Sequence, residues 1–250
     1  SESGLEGKLA DAVANAGRGA RAAAAYLEAA EKTPSDRAPQ LRLRAAQQYL
    51  RSGRTRAGWA LARIVLAATG VHVPTNQSVT TAVLLWERAK LRTRGPSFAS
   101  SAHDARSLSR LNTLRALAPE LATHHLVTSA LLQARYLNEA LRADHPEHTL
   151  QALAWEVYNA SVMGGTSNER WSAEVLDTVC LLGSRMDTPY AQALTLFAQS
   201  AHQLFTGRKF ADASRPALAA KDLFAQHYPG AYWERSVMDF FQLVCLEFTG

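Results

Sequence analysis

Residues Leu194–Ala225 read LTLFAQSAHQLFTGRKFADASRPALAAKDLFA, and this stretch decides the fold. Phe197, Ala201 and Leu204 recur at i, i+4 and i+7, the spacing of one face of a helix. Gly207 turns the chain. Phe210 follows the turn, and Ala213, Ala217 and Ala220 mark one face of a second helix. Ala201 and Ala213 lack bulk, so the two helices can approach closely while aromatic residues fill the groove beside them. Residues 42–65 carry a looser version, with Ala46, Tyr49, Gly58 and Ala62 in comparable places.

Outward from this pair, the whole chain has the same character. Its 250 residues include 46 Ala and 33 Leu against 13 Val and one Ile, Ile64. Alanine and leucine lose little conformational freedom in a helix, whereas β-branched residues suit pleated sheets. A sandwich, a barrel and a doubly wound sheet are thereby excluded. The 47% hydrophobic content excludes a disordered chain. No apolar run approaches the roughly 20 residues that span a bilayer, and the first residues lack the charged and apolar regions of a signal peptide. Two cysteines, Cys180 and Cys245, both in apolar surroundings, point to small buried hydrophobes and a reducing, cytoplasmic compartment.

About eleven helices of 12–20 residues are expected, joined by short turns. Thr55 opens one that runs to Thr69, with Leu61, Ile64, Val65 and Ala68 on its apolar face. A helix over 78–94 stripes Val79, Ala82, Val83 and Trp86, and residues 95–103 form the longest loop. Single helices cover 104–122 and 125–143. The next carries Leu150, Leu153, Ala154 and Val157 and stops at Gly164-Gly165, before one near 169–186. Thr188-Pro189 reads as a cap followed by a proline in the first helical turn. The last helix turns Trp233, Val237, Phe240, Phe241 and Val244 inward. Turn glycines at 17 and 53, and at 164 and 207, lie near the period of helical-hairpin repeats.

The large–small–large pattern of residues 194–225 resembles the tetratricopeptide repeat, without that repeat's usual proline at Ala225. The expected architecture is an all-α, right-handed α-solenoid of antiparallel helix pairs. It forms a single domain over 1–250, with a sub-division near 95–103. Three further stretches carry a second resemblance: LRLRAAQQYLRSG (Leu41–Gly53), LARIVLAATGVHVP (Leu61–Pro74) and VLLWERAKLRTRG (Val83–Gly95). Together they resemble the helical-repeat region of large, myxobacterial-type serine/threonine protein kinases. There, a kinase domain and a P-loop ATPase module precede such an array. The resemblance implies a regulatory, non-catalytic region whose partners are another protein or the kinase and ATPase modules of the same chain. The ends, Ser1-Glu2-Ser3-Gly4 and Phe248-Thr249-Gly250, read as the borders of a piece of a longer protein.

The chain holds no GxxxxGK[ST] phosphate loop, no kinase signature and no GxSxG elbow, so no catalytic residue is assigned. His124-His125 and His145/His148 lack the acidic company of a metal centre, so neither metal nor cofactor is expected. Charge is uneven: residues 1–125 hold 18 Lys/Arg against 9 Asp/Glu, and residues 126–250 hold 9 against 13. The densest basic run, Arg88, Lys90, Arg92 and Arg94, is the candidate partner-binding surface. The tryptophans Trp59, Trp86, Trp155, Trp171 and Trp233 all fall in helices, with Trp86 and Trp233 read as core. Three other readings stay open: the sensing repeat of an ATPase-type transcription regulator, a basic solenoid that binds nucleic acid, and a small-molecule sensor with a pocket between helices.

Overall fold

A computed structural model describes residues 2–33, 37–97, 105–143, 145–228 and 230–249. Among the described residues every regular element is helical and none is a strand. In chain order they are α1 Glu2–Asn15, α2 Gly19–Lys32, α3 Ala38–Arg51, α4 Thr55–Ala68, α5 Gln77–Arg94 and α6 Ala105–Leu117. A 3₁₀ turn, Pro119–Leu121, precedes α7 Leu126–Ala140, α8 Pro146–Met163, α9 Thr166–Arg185, α10 Pro189–Phe205, α11 Phe210–His227 and α12 Tyr232–Thr249. These are twelve α-helices where about eleven were expected. The helix expected over 104–122 gives way after Leu117 to the 3₁₀ turn, because Pro119 has no N–H to continue the ladder. None of these helices is long and apolar enough to cross a membrane. Most of the loop expected over 95–103 lies outside the described residues.

The chain divides into two compact units, Ser1–Lys90 with Asp104–Tyr136, and Leu91–His103 with Leu137–Gly250. In the first, α2 packs on α1 and α3, and α3 packs on α4 and α6. Its core begins with Ala10, Ala22, Ala23, Tyr26 and Ala45 in mutual contact, flanked by Leu41, Tyr49 and Leu61. Tyr26 donates a 2.5 Å hydrogen bond to the Asp11 carboxylate, which also receives the Arg44 guanidinium at 2.8 Å. Burial, reinforced by that carboxylate, pushes the Tyr26 phenol up to about 12.

In the second unit, α10 packs against α8, α9, α11 and α12. Thr188 caps α10 by accepting from the Ala191 N–H at 3.2 Å, with Pro189 in the first turn as expected. Helix α8 is buried on nearly every side, including Leu150, Leu153, Ala154 and Val157. Pro216 lies inside α11 and cannot donate to the carbonyl one turn before it. Neighbouring helices brace that turn. Ser200 Oγ donates to the Ala213 carbonyl at 2.8 Å, and Gln242 Nε2 to the Ser214 carbonyl at 2.7 Å.

Three expected apolar faces are corrected. On α4 the buried residues are Gly58, Ala62, Val65 and Leu66, while Ile64 is 61% exposed. The seam lies over the small residues, which rotates the bulkier ones outward. On α5 Trp86 is 65% and Val79 50% exposed, and the buried positions are Thr80, Glu87 and Leu91. The inner face of this helix is polar because Glu87 meets Lys90 and Arg135 there. On α12 the buried line is Glu234, Met238, Phe241 and Cys245, with Phe240 half outside.

Gly58 sets the distance between α3 and α4. A β-carbon there would meet Leu50 Cγ at 2.8 Å and the Leu50 backbone nitrogen at 3.0 Å. Alanine would gain about 1 kcal/mol of helix propensity, yet the clash involves backbone that cannot rotate away. Gly58→Ala is expected to destabilise the protein by about 1–3 kcal/mol, as overpacked cores do. Chemical denaturation checks this; a variant as stable as the parent would show that the helices can separate freely.

Candidate ligand-binding surfaces

Each cation of the basic run has its own surroundings. Lys90 pairs with Glu87, whose other carboxylate oxygen lies 3.6 Å from Arg135 Nε. Arg88 is half-buried. Arg92 donates from Nη1 to the Ser167 carbonyl at 3.2 Å and from Nη2 to Asn168 Oδ1 at 2.6 Å. Its guanidinium carbon also stands 4.7 Å from the centre of the Trp171 ring. Arg94 donates to the Leu141 carbonyl at 2.8 Å, and burial, with Arg142 nearby, holds its guanidinium below the usual range. Spacing two residues apart winds these side chains around the helix, so they reach different partners.

Arg92 also lines an open groove of about 400 Å³ with Thr166, Ser167, Arg170, Trp171 and Glu174. Gly164 and Gly165, both at positive φ (63° and 82°), turn the chain into α9 just before this lining. Trp171 is anchored from below, its indole N–H donating to the buried Glu156 carboxylate at 2.8 Å. The groove wall is therefore fixed from two sides, by Glu156 beneath Trp171 and by Arg92 over its ring.

Beneath α9 runs a chain of hydroxyls. Ser161 Oγ and Ser172 Oγ are 2.7 Å apart, and Ser172 Oγ is 2.9 Å from His202 Nδ1. The chemistry is that of a serine–histidine pair, but Ser172 has no exposed surface and cannot reach a substrate. Its role is to join α8, α9 and α10. Burial pushes the His202 imidazole below its ordinary range, opposed by the negative charges of Asp177 and Glu169.

A third surface is aromatic. Tyr158 on α8 has Phe197, Phe205, Trp233 and Phe241 around it, with ring centres 5.8–6.1 Å away. Trp155 meets Trp233 edge to face at 5.0 Å. Phe197 and Phe241 are buried, whereas Tyr158, Phe205 and Trp233 keep part of their surface open to solvent. Burial raises the Tyr158 phenol above its ordinary value.

Of the residues read from the repeat pattern, Ala46, Gly58, Phe197, Ala201, Leu204, Ala213, Ala217 and Ala220 are buried. Tyr49 and Phe210 are half-buried, and Phe210 stacks on Phe248 at 4.6 Å. Cys245 is buried and Cys180 half-buried. The ring of His125 lies 5.1 Å from Trp59, and His145 and His148 are in edge contact at 6.1 Å. Among the described residues no group of three or more His, Cys, Asp or Glu side chains converges as metal ligands would.

Sequence reasoning passed over Tyr158, Arg170, Ser172 and His202. The Ser172–His202 pair spans 30 residues and left no signal in the sequence pattern. The chain matches no family model, no curated protein and no solved structure.

His202 makes stability depend on pH. Unfolded, the imidazole takes a proton near pH 6.5; folded, it does so only at lower pH. Its contribution is complete above about pH 6.5 and is lost as pH falls through the window below it. The urea midpoint of the protein is expected to drop between pH 7.5 and 5 by more than that of His202→Gln. Parallel curves for the two proteins would remove His202 from the account.

Proposed function

We propose that this chain is a non-catalytic interaction scaffold, built as a tetratricopeptide-like, right-handed stack of antiparallel helix pairs. It serves as the regulatory helical-repeat region of a larger signalling protein, of the serine/threonine-kinase type that residues 41–95 resemble. Its partner is a protein segment or an upstream kinase or ATPase module of the same polypeptide. The packing of α10 on the helices both before and after it supports the stack. In a row of hairpins, the first helix of each pair lies beside the first helix of the next, and α8, α10 and α12 follow that order.

The half-open aromatic surface of Tyr158, Phe205 and Trp233 carries the functional reading. Those three residues come one each from α8, α10 and α12. Tyrosine and tryptophan offer large contact area at low entropic cost and dominate the binding energy of protein interfaces. Ser172, the best-placed hydroxyl beside a histidine, is sealed from solvent, which supports a role without chemistry.

The gene is expected to encode kinase or ATPase modules beside this chain, and their absence overturns the proposal. Titrated against the chain, those modules are expected to bind, and Phe205→Ala with Trp233→Ala to weaken that binding by about tenfold or more without changing helicity by circular dichroism. The chain alone, with MgATP and a generic protein substrate, is expected to transfer no phosphate. Undiminished binding by the double variant, or turnover by the chain, overturns the proposal.

A second reading has one observation in its favour. Arg37, Arg42, Arg54, Arg56 and Arg63 are exposed and form no ion pair among the described residues. Such a surface suits an acidic partner, nucleic acid included. Nucleic-acid binding with a steep salt dependence would favour it; no binding at low salt discards it.

A further inference from the structure

We propose that the groove lined by Arg92, Thr166, Ser167, Arg170, Trp171 and Glu174 is a phosphoryl-binding site, selective for a phosphate group that retains a proton. The inference is independent of the scaffold reading.

The lining supplies what a tetrahedral oxyanion needs. Arg92 is held by Ser167, Asn168 and the face of Trp171, so its planar fork is fixed before any ligand arrives. Arg170 is exposed and has no hydrogen bond or ion pair among the described residues, although Glu174 follows it at i+4 on the same helix. The hydroxyls of Thr166 and Ser167 have no partner among the described residues either, which leaves them available to donate. Two guanidiniums and two hydroxyls around about 400 Å³ can surround one phosphoryl group and leave room for a substituent.

Glu174 decides the specificity. A carboxylate only accepts hydrogen bonds, and in a lining meant for anions it repels a ligand that brings no proton. Near neutral pH, inorganic phosphate keeps at least one acidic proton, which can be donated to Glu174. Sulfate has the same shape and keeps none. The groove therefore distinguishes the two by a single hydrogen bond, in the way that an unpaired polar group rejects an otherwise similar ligand.

The experiment follows the Trp171 indole N–H resonance, assigned with Trp171→Phe, while inorganic phosphate, O-phosphoserine or sulfate is added at constant ionic strength. Phosphate is expected to give a saturable shift and sulfate a much weaker one. Arg170→Ala, an exposed change that leaves the fold intact, is expected to weaken phosphate binding by about tenfold or more. Arg215→Ala, a remote exposed cation, is expected to leave it unchanged. Glu174→Gln is expected to raise sulfate affinity toward that of phosphate. O-phosphoserine, whose phosphate has largely lost its second proton at pH 7, is expected to bind more weakly than inorganic phosphate and to gain affinity toward pH 6; tighter binding than inorganic phosphate at pH 7 overturns the proposal. Shifts that never saturate, equal affinity for sulfate and phosphate in the parent protein, or equal losses in Arg170→Ala and Arg215→Ala each overturn the proposal.

Discussion

Where α3 meets α4, the space for one methyl group is missing. A β-carbon on Gly58 would sit within 3.0 Å of both the side chain and the backbone of Leu50, so the two helices are as close as glycine permits. The same constraint recurs between α9 and α10, where a β-carbon on Gly183 would fall 2.2 Å from the Thr195 hydroxyl. Thr195 is itself tied to the Ala191 carbonyl at 2.8 Å and cannot swing away without giving up that bond. Between such points alanine does similar work: Ala201, Ala213, Ala217 and Ala220 are all fully buried. Tight approach lets helices of modest hydrophobicity share dispersion contacts along their length. In α10 and α12 it also brings Phe197 and Phe241 close enough to stack at 6.0 Å.

Close helices leave little room for water, so polar groups between them need partners from the protein. In the second unit Gln151 donates to Glu234, Trp171 to Glu156, and Ser200 to the carbonyl of Ala213, all buried. Each bond joins two helices: α8 to α12, α9 to α8, and α10 to α11. Such bonds add modestly to net stability but penalise every alternative register, because a shifted helix would bury the same groups unsatisfied. Apolar packing accounts for the approach of these helices, and the polar bonds fix which residue faces which.

This division explains what the sequence disclosed. The helical class was plain from the alanine and leucine content, and the buried alanines of residues 194–225 were readable from their spacing. Facing errors arose where large residues were taken as the guide to the interior. Ile64 and Trp86 lie outside because Gly58 and Glu87 occupy the inner faces of their helices, one to allow contact and the other to hold Lys90 and Arg135. Periodicity weights a residue by its hydrophobicity and has no means of seeing a small residue chosen for proximity or an acid chosen for two cations. The groove was half legible. Arg92 stood out in the basic run, but Ser167 and Trp171 lie more than 70 residues further along the chain, and no local pattern connects them.

The charge asymmetry has a different physical meaning from the one its densest run suggests. Arg88, Lys90, Arg92 and Arg94 are concentrated in sequence, yet Lys90, Arg92 and Arg94 are bonded to their own chain. In the first unit Glu6 and Glu28 hold Lys32, Asp11 holds Arg44, Glu120 holds Arg51, and Glu87 holds Lys90. The unit's acids are few, and these pairs engage most of those described. Pairing does not alter the net charge, but it determines where the unbalanced part lies. Part of it falls on Arg37, Arg42, Arg54, Arg56 and Arg63, which are spaced along α3 and α4 and the turns before them. An acidic partner would be drawn to that sparse row, because a cation already neutralised by a neighbouring carboxylate contributes little to the field a ligand meets.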